Sequence, residues 1–429
     1  MRIMVRSVAA ASVVLLALSA SPVVGGPQEA CVPQHVPVIG PACRVDGSWK
    51  VSLRDGSTLT THGIDAVAGH LGMTEPPSAP VKPACATDPS TEPHGEVIYV
   101  RPTDRADRFA TVAGDLHDMV WSVNGFMRNE AAEFGRTLDY RMLCDGGDVA
   151  IAAVTLSTTQ ANTTFSSVVS DLQAAGYKSA VAKYWVWYDR STPGGGIGNF
   201  ALDARMIPGN TNMTGPSYGM TIGTSKAQGG AWIMMHENGH NLGAVQYSSP
   251  NSSGAAHCND GLDVMCYSDG GPASAYTTSA CPAARFDCHR DDYFNLDPVD
   301  GSYVASSWNL GLPLDTYLQG CARITGSIPV GLGGAAIEGV SARTVPVPAG
   351  CGGAHFALNS VVPPVDNSRV RLAVDTVMDV DVCWLGAGNA PLGCDARTGF
   401  ELGMVPAGAT AAQIVAKTGA SVPFLLTAF

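Results

Sequence analysis

Thirteen residues near the middle of the chain, AWIMMHENGHNLG (Ala231–Gly243), leave little choice of surroundings. Four large apolar residues, Trp232 to Met235, run directly into a histidine, a glutamate and, four residues on, a second histidine. At helical spacing His236 and His240 share one face, so their imidazoles can grip one ion. The apolar flank argues for a helix buried in a core rather than one lying on a surface. Zinc suits paired imidazoles, because it accepts nitrogen at about 2.0–2.1 Å in tetrahedral geometry and does no redox chemistry. Glu237 is awkwardly placed to bind the same ion beside both histidines. It is well placed to take a proton from a water held there. Gly243, three residues after His240, offers the left-handed exit that glycine adopts cheaply.

Such a helix needs a core around it, and the composition supplies one. Of 429 residues, 45% are hydrophobic and only 14% charged, against roughly 25% charged in an average soluble protein. The length suits two or three domains, and 49 glycines with 28 prolines point to loop-rich ones. A formal charge of −12 argues against nucleic acid and anionic membranes as partners. Arg2 and Arg6 precede an apolar run, Val8–Ala20, which is too short to span a bilayer and has the form of a cleaved secretory signal. The expectation is a signal peptide over residues 1–26 and a secreted, extracellular chain with no membrane insertion. All twelve cysteines lie between Cys31 and Cys394, without a C-x-x-C pair. An even set in an exported chain reads as disulfides. Nearest-neighbour pairing gives Cys31–Cys43, Cys85–Cys144, Cys258–Cys266, Cys281–Cys288, Cys321–Cys351 and Cys383–Cys394.

Residues 27–93 read as a pro-region or small accessory module with a linker. WKVSLRDGSTLTTHG predicts a hairpin turning at Asp55-Gly56, and a proline-rich stretch follows it. Over residues 94–320 strands and helices alternate. Val97–Val100, Asp148–Leu156, Lys183–Asp189 and Tyr218–Gly223 read as strands. Phe109 to about Phe134 and Phe165–Ala175 read as helices, with the histidine-bearing helix last. That order predicts a mostly parallel sheet with helices packed on it. Residues 321–429 carry short, alternating, valine-rich segments between Gly and Pro, the pattern of an all-β sandwich. STPGGGIGN lacks the Lys-Ser/Thr ending of a phosphate loop and reads as a flexible linker.

Downstream of the helix, DVMCY places Met265 and Tyr267 in a short turn. Together with His236, Glu237, His240 and Gly243, this resembles the metzincins, zinc endopeptidases with H-E-x-x-H-x-x-G-x-x-H and a methionine turn. The match runs from about Gly95 to Gly320 and looks like exported, reprolysin-like actinobacterial forms. It implies an α+β/α/β metzincin-like catalytic domain, a Zn2+ cofactor, and peptide hydrolysis by a zinc-activated water with Glu237 as general base. The M-x-Y form of the turn is similar to that of astacin- and serralysin-type members, which gives Tyr267 a role in binding zinc or steadying the oxyanion. The C-terminal part resembles the pre-peptidase C-terminal domains of secreted bacterial proteases. The chain departs from the family at Gln246, where the pattern has His or Asp. A glutamine carbonyl can bind zinc but is a poor donor beside imidazole. If Cys258 is bonded to Cys266, their Cα atoms lie about 4.4–6.8 Å apart, which tethers His257 beside Met265, the residue that underlies the metal in the family. The third ligand stays open between His257 and Gln246.

The expected function is therefore a secreted zinc endopeptidase acting on a protein or peptide laid along a sheet edge supplied by Tyr218–Gly223. A zinc amidase acting on cell-wall peptides is one alternative. A non-enzymatic surface-binding protein on an inert scaffold is another, and an intact Glu237 speaks against it. His62, His70 and His94 are candidates to cap the metal in a latent form. Asp287, Asp291 and Asp292 cluster in FDCHRDDYFN, making Ca2+ a second candidate cofactor beside the simpler reading of a solvated acidic loop.

Overall fold

The computed structural model describes residues 31–65 and 79–319, apart from 193, 208–209, 270, 272–280, 282–283, 300 and 312–316, and then 322–328, 341–346, 355–360, 380–395, 401–416 and 422–428. The expected signal segment, His70 and the Cys321–Cys351 pair lie outside these residues. The chain is mixed α/β, with several sheets and few helices.

Four strands come first, β1 (Gln34–Val36), β2 (Gly40–Val45), β3 (Ser48–Ser52) and β4 (Thr58–Thr61), paired antiparallel in that order. The predicted hairpin is β3–β4, closed by Leu53 N donating to Ser57 O at 2.9 Å. There follow β5 (Ala84–Cys85), β6 (His94–Arg101), α1 (Phe109–Ala132), β7 (Asp139–Met142), β8 (Cys144–Asp145), β9 (Asp148–Val149) and β10 (Ile151–Thr155). Next are α2 (Phe165–Ala174), β11 (Ala182–Tyr188), β12 (Gly196–Gly198), β13 (Ser217–Ile222), α3 (Gly230–Leu242), α4 (Tyr303–Ser306) and β14 (Leu318–Gln319).

The central sheet runs β12-β13-β11-β6-β7-β14, with β10 also on β6 and β5 on β7. Its middle is parallel, Val97 lying opposite both Ile151 and Trp185, and Trp185 opposite Gly219. Every residue of β11 is buried, as a parallel strand covered on both faces must be. Side chains alternate between two cores. Val97, Tyr99, Trp185 and Trp187 pack with Leu116 and Val123 of α1 and Trp232 and Met235 of α3. Ile98, Val100 and Val186 pack with Phe165 and Val169 of α2 and with Ile39 and Val51. The N-terminal strands thus share a core with the main sheet. The turn between β1 and β2 also satisfies the otherwise free first amides of α2, Phe165 N donating to Val38 O at 2.6 Å and Ser166 N to Ile39 O at 3.0 Å.

The expected substrate edge is corrected here. Tyr218–Gly223 forms β13, which has β11 on one side and antiparallel β12 on the other. The outermost strand is β12, GIG, inside the glycine-rich stretch read from sequence as a linker. Its glycines let α3 come close. A Cβ on Gly196 would collide with the Glu237 carboxylate, and one on Gly198 would sit 2.8 Å from Glu237 O.

Beyond residue 321, β15 (Ala322–Ile328), β16 (Ser341–Pro346), β17 (His355–Ser360), β18 (Val380–Leu385), β19 (Pro391–Asp395), β20 (Glu401–Met404), β21 (Ala411–Ala416) and β22 (Val422–Ala428) form two antiparallel sheets. Their orders are β15-β22-β17-β20 and β16-β21-β18-β19. Five of the nearest-neighbour disulfides form, Cys31–Cys43, Cys85–Cys144, Cys258–Cys266, Cys281–Cys288 and Cys383–Cys394. Among the described residues no helix is long and apolar enough to cross a membrane.

The C-terminal end of α3 is fixed from below. Lys183, buried on β11, donates Nζ to Asn241 O at 2.6 Å, Asn212 O at 2.9 Å and Ser217 Oγ at 3.3 Å. Trp308 Nε1 donates to Leu242 O at 2.7 Å. Last-turn carbonyls that would otherwise be orphaned in the core are thereby paired. Replacing Lys183 by Met leaves those acceptors unpaired and is expected to destabilise the fold by about 2–4 kcal/mol, read as a lower denaturant midpoint at unchanged m-value.

Candidate metal centre

All thirteen residues of α3 are buried, and Gly243 ends the helix at φ +84°. On its inner face His236 Nε2 and His240 Nε2 lie 3.1 Å apart. The chain then loops away and returns with His257, whose ring centroid is 5.2 Å from that of His236 and 5.0 Å from that of His240. Directly after His257 the Cys258–Cys266 disulfide closes a short loop and seats Met265 under the helix, where a Cβ on Gly239 would collide with its Sδ. Two partners fix the rings. His236 Nδ1 donates to Val264 O at 2.6 Å, and His257 Nδ1 to Asp269 Oδ2 at 2.9 Å. A ring that donates through Nδ1 presents a lone pair at Nε2.

A carboxylate from the N-terminal segment sits among these nitrogens. Asp65 Oδ1 is 3.1 Å from His257 Nε2, and its Oδ2 is 3.3 Å from His236 Nε2 and 3.7 Å from His240 Nε2. His62 Nε2 lies 3.3 Å from the same Oδ2, and the Tyr267 hydroxyl donates to Oδ1. His62, Asp65, His240 and His257 each offer a ligand atom within 4.8 Å of the others, as do Asp65, His236 and Glu237. The backbone holds Asp65 in place against β12. Asp65 N donates to Gly196 O at 2.9 Å, Gly196 N returns to Asp65 O at 3.3 Å, and Phe200 N reaches Thr60 O at 3.0 Å. The segment therefore lies antiparallel along the outermost strand of the sheet.

Burial opposes an ionised Asp65, yet the imidazoles of His62, His236 and His257 outweigh it and hold the carboxyl well below its usual range. His257 shows the reciprocal effect. Burial lowers it, but Asp65 and then Asp269 lift it to about 9. Burial drives His240 well down, and His62 down to about 3. Burial first, and then the charge of Asp65, push Glu237 well above an ordinary glutamate. Both Glu237 oxygens are buried and accept no hydrogen bond from a protein donor. Nε2 lone pairs at 3.1 Å repel unless a proton or a cation lies between them. Three such nitrogens beside a carboxylate make a donor set that could hold a metal ion.

The structure thus gathers His236, Glu237, His240, His257 and Tyr267 at one point. Gln246 is tied elsewhere by its amide nitrogen, donating to Gly243 O at 2.8 Å and Ala201 O at 3.2 Å. Of the candidate capping histidines, His62 is at the cluster. His94 is on β6, with Nδ1 2.7 Å from Glu92 O and Nε2 3.2 Å from Glu96 Oε1. Sequence reasoning missed Asp65 and Asp269. The one signal for Asp65 was its place three residues after His62, in a short THGID stretch just past a strand. Nothing marked Asp269, since its pairing with His257 spans a loop.

No protein-family model and no curated protein matches the chain. Among solved structures it is similar to OgpA from Akkermansia muciniphila, at a TM-score of 0.28 and 10% identity, covering 81% of this chain and 94% of that one. A crystal structure of catalytically inactive OgpA in complex with an O-glycopeptide (glycodrosocin) substrate matches at a TM-score of 0.27 and 10% identity, covering 82% and 98%. Scores that low carry no weight for fold or chemistry.

The Asp269–His257 contact gives a test of the cluster. Asp269→Asn replaces a carboxylate acceptor by a neutral one and is expected to cut divalent-metal affinity about 10–100-fold, measured by competition with a chromogenic chelator.

Proposed function

We propose that this chain is an exported zinc endopeptidase of the metzincin kind, held latent by its own N-terminal segment. One observation carries the reading: the Nε2 atoms of His236, His240 and His257 surround a single carboxylate, Asp65, with Glu237 beside them. Those three histidines would hold zinc, and Asp65 would complete the set in the latent chain. Gln246 instead braces the exit of α3. When bound, zinc supplies Lewis acidity that acidifies a water and polarises a scissile carbonyl.

The chain's own groups do the rest. Glu237 has two oxygens with no donor from the protein, so it is free to take a proton from water and pass it to the leaving amine. Its raised pKa suits a group that must hold that proton for part of the cycle. Tyr267 donates to Asp65 in the latent chain and, once Asp65 withdraws, can donate to a developing oxyanion. The segment Thr60–Asp65 occupies backbone groups of Gly196 and Phe200 that an extended substrate would use by strand addition. The apolar N-terminal run and the disulfides support export. The C-terminal sheets supply a surface for substrate or cell envelope.

Because β2 and β3 share the core, a point change is a cleaner test than truncation. Asp65→Ala in the full chain removes the carboxylate that pins this segment to the histidines, and is expected to let the segment leave β12 and so switch on hydrolysis of unfolded casein at unchanged zinc content. Adding Glu237→Ala is expected to remove about 10²–10⁴-fold of that rate. A folded, zinc-bearing Asp65→Ala protein that cleaves no peptide would overturn the reading.

A further inference from the structure

Behind the loop that carries His257 lies a second group of acids. Five aspartates meet there, Asp260 and Asp263 from that loop and Asp287, Asp291 and Asp292 from the segment packed on it. Two are consumed by the chain. Asp263 accepts from Met265 N at 2.7 Å, from Cys288 N at 3.0 Å and from the Tyr293 hydroxyl. Asp287 accepts four backbone amides, those of Tyr293 and Phe294 at 2.8 Å, Asp292 at 3.2 Å and Asp291 at 3.3 Å. Sequence alone put Asp287 in the candidate calcium group; the structure makes it a turn-stabilising acceptor, and Asp260 takes its place.

The other three are under-served. Each of Asp260, Asp291 and Asp292 offers an oxygen within 4.8 Å of the other two. Asp260 Oδ2 is 3.1 Å from His289 Nδ1, while its Oδ1 faces Cys266 Sγ at 3.0 Å, a disulfide sulfur with no proton to give. Asp291 Oδ1 accepts from Asn251 Nδ2 at 3.3 Å, and Asp292 Oδ1 from Asn251 N at 2.8 Å. Asp292 is 1% exposed, and its Oδ2 is buried with no hydrogen-bond partner. Among the described residues no lysine or arginine pairs with the three. The nearby Arg285 and Arg290 turn to Glu133, and only His289 approaches the group, at Asp260. Burial and then the charge of Asp287 hold Asp292 up at about 8, and burial raises Asp260.

We propose that Asp260, Asp291 and Asp292 form a second, structural cation site that takes calcium. All-oxygen carboxylate donors on irregular loops suit a hard ion with flexible coordination, which zinc and magnesium are not. The site would clamp the loop between α3 and His257. Asn251 bridges Asp291 and Asp292, its O accepts Asn259 N at 3.0 Å, and Ser253 N donates to His257 O at 2.7 Å. Calcium would thereby hold His257 in place for zinc, a consequence that rests on the metal reading of His257. The cation site itself does not.

The test uses the full chain, zinc-loaded and freed of calcium, with thermal unfolding and calorimetric titration by CaCl2. The expected result is one added binding event, with a Kd on the order of 10⁻⁴–10⁻³ M or tighter, and a rise in Tm with calcium. MgCl2 at equal concentration should give little. Asp292→Asn, and separately the partly exposed Asp291→Asn, should lose the calcium-dependent rise while folding as well as calcium-free wild type, because a charge is removed from a repelling set. The absence of any rise in wild type, an equal rise with magnesium, or a folded variant that keeps the full rise would overturn the proposal. All three outcomes are read without peptide hydrolysis, so they stand apart from the fate of the endopeptidase reading.

Discussion

Imidazole nitrogens with inward lone pairs cannot crowd together in a buried pocket unless something positive, or a proton, sits between them. Everything else around the histidine cluster serves to force that crowding. Helix α3 contributes two rings by its pitch. The residue just before the Cys258–Cys266 disulfide loop, His257, contributes the third, and the carbonyl of Val264 and the carboxylate of Asp269 decide which nitrogen of His236 and of His257 points inward. The groups are buried, so charge there is screened less than at the surface. That is why one carboxylate, Asp65, shifts so many neighbours at once.

The same geometry explains the glycines. Helix α3 must lie against the sheet closely enough to put Glu237 over the outermost strand, and a side chain at Gly196, Gly198 or Gly239 would hold it off. Closeness on one side is matched by anchorage on the other, where Lys183 and Trp308 pair the last carbonyls of the helix. The N-terminal strands are drawn into this arrangement twice, once through the core beneath α2 and once through Asp65 at the cluster. A segment bound at both places is part of the folded unit, and only the second attachment bears on the chemistry.

Much of this was legible in the residues. The helical repeat of Phe109, Val112, Leu116, Met119 and Val123, the apolar strands and the pairing of near cysteines are local signals, and they map onto α1, β6, β11 and five disulfides. The hairpin turn at Asp55-Gly56 is local in the same way. What stayed hidden is non-local. β12 is three residues of GIG, too short and too small to show a period. Asp65 meets His236 across 171 residues only because the N-terminal sheet docks on α2. In the C-terminal part β19 and β20 carry too little alternation to be seen, while RVRLAVDTV falls outside the described residues. At the site itself the split between His257 and Gln246 could not be resolved from spacing. It turns on where a disulfide loop folds back, and spacing carries no angle.

X-ray anomalous scattering on crystals of the full chain, recorded on both sides of the zinc absorption edge, addresses the claim at its root. A single strong peak among the Nε2 atoms of His236, His240 and His257, with an Asp65 oxygen beside it, is the outcome expected here. A metal-free cluster in protein grown with zinc, or a peak coordinated by Gln246 with His257 turned away, would contradict it.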